Sequence, residues 1–451
     1  MKEQTGEERV VRRFARYTSM SVLSMLGLAV YYLTDTFFVA NKVGTLGLAA
    51  LNFSIPIYSV LNGLGLLLGV GGATMFTIHK SRGETREGSV VFTNIVLLGA
   101  VVSVAGVAIG WLFPTQLASL LGSSGVVHEM SATYLQVLMT FAPCFLFSNI
   151  LIAFMRNDNA PLFSTICMVT GTVTNIVLDY VFMYPLGMGI FGAALATGVS
   201  PLVGMLMALA LYVLPKKATF HLVRCPLRPR LLAWCCALGM SSFIGEVSSA
   251  VVTLVSNNVI EGLAGDVGVA AYGVIANLSF AVLAVFIGIA QGGQPLMSDY
   301  YARGMRRQEK QTLRLCCVTA LVLGAVCWIA ALLFAPQITA LFNSENDPVM
   351  RQIAVSGLHI YCVGFLLAGV NTVLSQAMAA VEQPRQSLAI SLSRGLVVIV
   401  AFVLLFAQLW GVTGVWMAFP ATEILTFVLA LAIYFHFKRR RDALKQKQSA
   451  D

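Results

Sequence analysis

The sequence predicts an all-α polytopic membrane protein with twelve transmembrane helices in two pseudo-symmetric six-helix lobes. Three observations carry this: apolar segments long enough to cross a bilayer, positive charge confined to alternate connections, and an internal repeat of about half the chain. Composition sets the frame. Of 451 residues, 58% are hydrophobic and only 11% charged, with a mean hydropathy of +0.82. A soluble globular protein carries about a quarter charged residues, and no soluble core of this length absorbs so much apolar surface.

A spanning helix needs ~20 mostly apolar residues. The chain opens with a basic tail (Lys2, Arg9, Arg12, Arg13, Arg16), and the first segment runs over 14–40. Lys42 separates it from the second, 46–78, and Lys80, Arg82 and Arg86 precede the third, 89–112. The fourth, 126–155, ends at Arg156, and the fifth and sixth cover 161–184 and 190–214. A polar stretch with Lys216, Lys217, Arg224, Arg228 and Arg230 leads to the seventh and eighth, 231–260 and 268–300. Arg303, Arg306, Arg307 and Lys310 precede the ninth, 313–335, and Arg351 lies at the edge of the tenth, 350–381. Arg385 precedes the eleventh, 386–409, and the twelfth, 413–437, ends in a tail with Lys438, Arg439, Arg440, Arg441, Lys445 and Lys447. Positive charge marks the cytoplasmic side, so both termini are expected inside. Pro56, Pro143, Pro201, Pro295 and Pro420 are candidate kinks.

The halves repeat one another. At an offset of 221, Gly47-Leu48-Ala49-Ala50 falls on Gly268-Val269-Ala270-Ala271, Gly71-Gly72 on Gly292-Gly293, and Arg82-Gly83 on Arg303-Gly304. At 222, Gly189-Ile190-Phe191-Gly192 falls on Gly411-Val412-Thr413-Gly414, and at 223 Pro161 falls on Pro384. Six helices per half is an even number, so the repeats are parallel about an axis along the membrane normal, a transporter architecture with a cleft between lobes. The expected division is an N-lobe at 1–214, a cytoplasmic linker at 215–230, a C-lobe at 231–437 and a basic tail at 438–451.

Ionisable residues at membrane depth are costly without a partner, so they mark function by default. Asp35 lies about five residues from the outer end of the first segment and Asp179 about five from the outer end of the fifth; at 1.5 Å per residue these, Asn175 and Thr197 fall in a layer on the order of 10 Å thick. Asn175 and Asp179 stand at i and i+4 and share a face. Two carboxylates, an amide and a hydroxyl suit Na⁺ or a shared proton; the same oxygen set serves either.

Around these residues the sequence resembles a known family. Ala153-Phe154-Met155-Arg156-Asn157-Asp158-Asn159-Ala160-Pro161, Asn175-Ile176-Val177-Leu178-Asp179-Tyr180, the run from Leu186 to Thr197, and Thr34-Asp35-Thr36-Phe37-Phe38-Val39 are similar to the multidrug and toxic compound extrusion (MATE) transporters, in the branch of MepA-like and DinF-like bacterial exporters. The resemblance implies a V-shaped pair of lobes of the MATE/MOP type. It implies export of small organic cations against H⁺ or Na⁺, with no cofactor and no catalytic residue, by a monomer in the bacterial cytoplasmic membrane in contact with lipid. It also carries the N-lobe cation site onto Asp35, Asn175, Asp179 and Thr197. Some relatives bend helix 1 at a proline; here there is none, and Gly27 is the flexible position.

In the second half, Glu246 resembles the helix 7 acid that other branches place in a C-lobe cation site, yet the helix 10 region reads Ala368-Gly369-Val370-Asn371 without an acid. Glu246 is therefore a candidate for the substrate cleft. Met75, Met139 and Met183 are candidates by depth, because methionine adapts to varied ligands. Arg394 and Glu423 read as a structural ion pair, since an unpaired buried charge costs more, and Asp299 reads as a solvated residue at a cytoplasmic helix end.

Other classes fit less well. The net charge of +9 follows membrane topology, so nucleic acid is not an expected partner. The nine cysteines lie mostly in apolar segments without metal-ligand spacing, and no apolar run near the start is followed by a small-residue cleavage site. No phosphate-binding Gly-x-x-x-x-Gly-Lys-Ser/Thr run appears, so an ion gradient is the expected energy source. The five histidines sit mostly at segment ends, against an intramembrane enzyme. A flippase for lipid-linked saccharides is the alternative, and it calls for several basic groups facing the cleft.

Overall fold

The computed structural model describes residues 2–123, 125–342 and 347–448. Its helices are α1 (Lys2–Lys42), α2 (Thr45–Ser81), α3 (Thr85–Leu112), α4 (Gly125–Thr140 with Ala142–Asn157), α5 (Pro161–Met183), α6 (Gly189–Val213), α7 (Pro229–Gly265), α8 (Val267–Ala302), α9 (Arg306–Phe342), α10 (Pro348–Ala380), α11 (384–410) and α12 (412–448). A short helix, Pro114–Leu120, precedes α4. All are long and apolar enough to cross a bilayer once the bent α4 is taken as one span and 384–439 is divided at Gly411. This is a multi-pass helical membrane protein. The basic tail is described as far as Gln448, and its last three residues lie outside the described residues.

Local chemistry sets the breaks. α4 bends by 48° at its middle, where Pro143 opens the second half of the helix without a backbone donor. Pro56, Pro201, Pro295 and Pro420 are accommodated without a break. α7 passes into α8, and α11 into α12, with no loop between them. The chain reverses on Gly265 (φ 60°, ψ −159°) and Gly411 (φ 60°, ψ −140°), backbone conformations that essentially only glycine adopts. α1 runs unbroken past Gly27.

Two hydrophobic cores correspond to the two lobes. The first is centred on Phe76, Phe154 and Leu146, and the second on Phe286, Phe365 and Trp416. Each recruits a helix end from the other lobe: Cys235 and Leu238 of α7 pack into the first, and Val10, Phe14 and Tyr17 of α1 into the second. The resulting seams, α2 on α7 and α1 on α8, are related by the repeat. In the first, backbone meets backbone: a Cβ on Gly71 would lie 1.9 Å from the Cys235 carbonyl oxygen, and one on Gly239 1.9 Å from that of Leu67.

The same end of the molecule is laced by polar contacts. Asp299, expected to be solvated, is instead buried at the seam, where it accepts from Arg13 Nη1 (3.2 Å), Ser81 Oγ (2.8 Å) and Arg303 Nε (2.7 Å). Sequence shows only that it ends a helix; the facing lobe covers it. Arg156 Nη1 donates to Gln291 (2.5 Å), and Gln294 donates to Thr74. The connection after α6 is fitted against the N-lobe. Asp158 holds Lys80, Tyr212 and Thr219; Phe220 fills an aromatic cage of Phe76, Phe92 and Phe154; and Arg228 N–H donates to Asn94 Oδ1 (2.8 Å).

Candidate functional site

The structure gathers Asp35 from α1, Asn175 and Asp179 from α5 and Thr197 from α6. All are buried, with exposures of 4, 0, 0 and 2%. Asp35 and Asp179 are close neighbours. The Asn175 amide, turned so that nitrogen meets acceptor and oxygen meets donor, donates to Asp179 Oδ2 (2.8 Å) and accepts from the Thr197 backbone N–H (3.3 Å). Asp35 Oδ1, Asp179 Oδ1 and Thr197 Oγ1 have no hydrogen-bond partner among the described residues, and no basic side chain pairs with either acid there. An oxygen cluster of this kind needs a proton or a cation, because buried acceptors and charges without partners are costly. Tyr31 and Tyr134, both buried, flank the acids. Neither emerged from the sequence, where an apolar-bodied tyrosine in a spanning segment reads as core.

A cavity of about 390 Å³ lies between the lobes. Thr197 and Tyr31 belong to both the acid cluster and the cavity wall, so the cluster sits directly behind that wall. Its lining is aromatic and amide-rich. Tyr32 meets Tyr58 edge-on (centroids 5.6 Å apart) and Phe280 of the other lobe (4.7 Å), and Tyr58 meets Phe145 (5.6 Å). Glu246 lines this cavity, packed against Gly63 of α2 and near Asn62, which accepts from Asn149 (2.9 Å).

The methionine expectation is corrected. Met75, Met139 and Met183 are buried in the N-lobe core and are not on the cavity wall, where Met25 and Met168 stand instead. Depth along a helix is legible from sequence, but the direction in which a side chain points is set by neighbouring helices. Arg394 and Glu423 do pair (Nε to Oε1, 2.7 Å), and they line the same cavity from the C-lobe.

Comparison with known proteins follows the same architecture. The MatE family profile matches residues 21–181 and again 242–404. The chain is 26% identical over 418 residues to the multidrug export protein MepA of Staphylococcus saprophyticus, covering 92% of this chain and 91% of that one. With MepA of Staphylococcus aureus it shares 23% over 434 residues, covering 96% and 95%. In fold it matches a crystal structure of MATE in complex with MaL6 (TM-score 0.89, 22% identity, 96% of this chain and 97% of that chain). It also matches an outward-facing multidrug resistance MATE family transporter of the MOP superfamily (TM-score 0.87, 23% identity, 96% of each chain). This chain belongs to the MatE family of transporters, in its MepA-like branch.

Proposed function

We propose that this protein is a secondary active multidrug exporter that extrudes aromatic organic cations in exchange for H⁺ or Na⁺, with the basic face and both termini cytoplasmic. One observation carries the reading: a buried pair of carboxylates with unpartnered acceptors and no basic counter-ion abuts an aromatic cavity between two lobes. Asp35, Asp179, Asn175 and Thr197 hold the coupling ion or proton. Glu246 and the ring faces of Tyr32, Tyr58 and Phe280 receive the cationic substrate, as ring quadrupoles attract cations. A ligand shifts a two-state equilibrium only by its differential affinity for the two states. Ion at the acid pair and drug in the cavity therefore favour opposite lobe arrangements, and Thr197 and Tyr31, common to both sites, link them. The relatives' names as multidrug export proteins support this reading. A lipid-saccharide flippase is disfavoured: the only Lys or Arg on the cavity wall among the described residues is Arg394, which is paired to Glu423.

The test is efflux of a fluorescent cationic dye from vesicles under a pH gradient and a Na⁺ gradient imposed separately. Movement under pH alone assigns a proton relay, and movement that needs Na⁺ assigns an ion cage. Absence of movement under both refutes the antiport reading.

A further inference from the structure

The repeat maps α5 and α6 onto α11 and α12. At an offset of 221 Asp35 falls on Ser256, and at 222 Asn175, Asp179 and Thr197 fall on Val397, Ala401 and Phe419; at 223 the first two of these fall on Val398 and Phe402, so no acid stands at the equivalent level of the C-lobe. About one helical turn towards the basic face, the same helix pair carries Arg394 and Glu423. Glu423 is 1% exposed; its Oε1 accepts from Arg394 Nε (2.7 Å) and its Oε2 from Asn371 Nδ2 (2.7 Å). Arg394 Nη1 donates to Thr372 Oγ1 (2.6 Å). Asn371 is 0% exposed, and its Oδ1 has no hydrogen-bond partner among the described residues. α11 widens here into a π-helical turn, Ser393–Val397, an irregularity found frequently at functional sites. Tyr361 of α10, which carries no positive charge, also lies near Glu423.

The two clusters have the same ingredients. Each combines carboxylate, amide and hydroxyl oxygens from neighbouring helices at the cavity, and each keeps an amide or acid oxygen without a donor. They differ in charge: the N-lobe cluster has two carboxylates and no cation of its own, and the C-lobe cluster has one carboxylate and holds a guanidinium.

We propose that the C-lobe contains a second site for a monovalent cation, and that its resident cation is the side chain of Arg394. The geometry deepens the antiport reading and rests on it: the N-lobe cluster exchanges its ion with solution, whereas the C-lobe cluster keeps a tethered one and stays neutral whichever way the lobes are arranged. Arg394 acts as a positioning residue that closes this site to free ions. Removing the guanidinium must then leave a site that accepts a small cation from solution.

The test reads binding, so its failure is distinct from failure of the vesicle assay. Thermal melting of the purified full chain is followed in titrations of methylguanidinium and, separately, of Na⁺ at fixed pH. The Asp35→Asn/Asp179→Asn/Glu246→Gln background silences the N-lobe cluster and the cavity acid. With Arg394 intact, neither cation changes Tm beyond its general salt effect. Arg394→Ala melts lower, and methylguanidinium restores Tm saturably; Arg394→Ala/Glu423→Gln shows no such rescue. An Arg394→Ala protein that folds without any saturable cation response overturns the proposal, as does rescue that persists in the Glu423→Gln double variant. Should Arg394→Ala fail to fold alone, expression with methylguanidinium must recover it, and failure to do so also counts against the site.

Discussion

Replacing Gly71 with alanine probes the seam that closes the basic face. The added Cβ would lie 1.9 Å from the Cys235 carbonyl oxygen and 2.9 Å from the Gly239 nitrogen, both backbone atoms that cannot rotate away. Ordinary C···O contacts lie near 3.3–3.6 Å, so α2 and α7 must part by roughly 1 Å or more. Overpacking of this kind costs about 1–3 kcal/mol. Here the strain falls between lobes, and opening the seam relieves it without disturbing either core. At 1.4 kcal/mol per factor of ten, the open population rises by about 5- to 150-fold. The assay is a spin-label distance measurement across the seam, with labels at Arg82 and Arg303 in a background without native cysteines. A longer distance component is expected to grow in Gly71→Ala and equally in Gly239→Ala, whose Cβ meets the Leu67 carbonyl oxygen at 1.9 Å. Gly273→Ala, where a Cβ meets nothing within 4 Å, is the control. A Gly71→Ala protein with the wild-type distance distribution refutes the reasoning.

Three further outcomes follow from the same geometry. Asp35→Asn and Asp179→Asn are each expected to yield folded protein with little gradient-driven dye efflux, and coupling retained in both variants removes the acid pair from the mechanism. Asp158→Ala strips Lys80, Tyr212 and Thr219 of their shared acceptor. The loss is about 1–3 kcal/mol, below the range for fully buried pairs because Lys80 is partly exposed. The sign to look for is faster tryptic cleavage after Lys216 and Lys217, and an unchanged cleavage rate contradicts the fitted connection. Met75→Ala is expected to lower stability by about 2–5 kcal/mol as a core cavity while leaving relative dye preferences unchanged, whereas Tyr32→Ala, on the cavity wall, shifts those preferences. A preference change in Met75→Ala, measured across a panel of cationic dyes, would return that methionine to the cavity.

The parts of this protein legible in one dimension are those governed by one-dimensional physics. Hydrocarbon thickness demands apolar runs of fixed length, charge asymmetry orders them across the bilayer, and gene duplication leaves matching glycines and prolines at a constant offset. The cost of burying a carboxylate singled out Asp35 and Asp179, and helical rise alone placed them with Asn175 and Thr197 in one layer. Azimuth was another matter. Met75 and Asp35 are both buried by depth, but only contacts between helices decided that the methionine faces the N-lobe core and that the acid faces Asp179 behind the cavity wall. Asp299 reads as a solvated helix end until Arg13 and Ser81 arrive from the other lobe to cover it. Arg394 and Glu423 are legible as a pair from the cost of leaving a buried charge unpartnered, but the π-turn and the α11–α12 crossing that bring them to 2.7 Å, with Asn371 and Thr372 of α10 around them, belong to the tertiary structure.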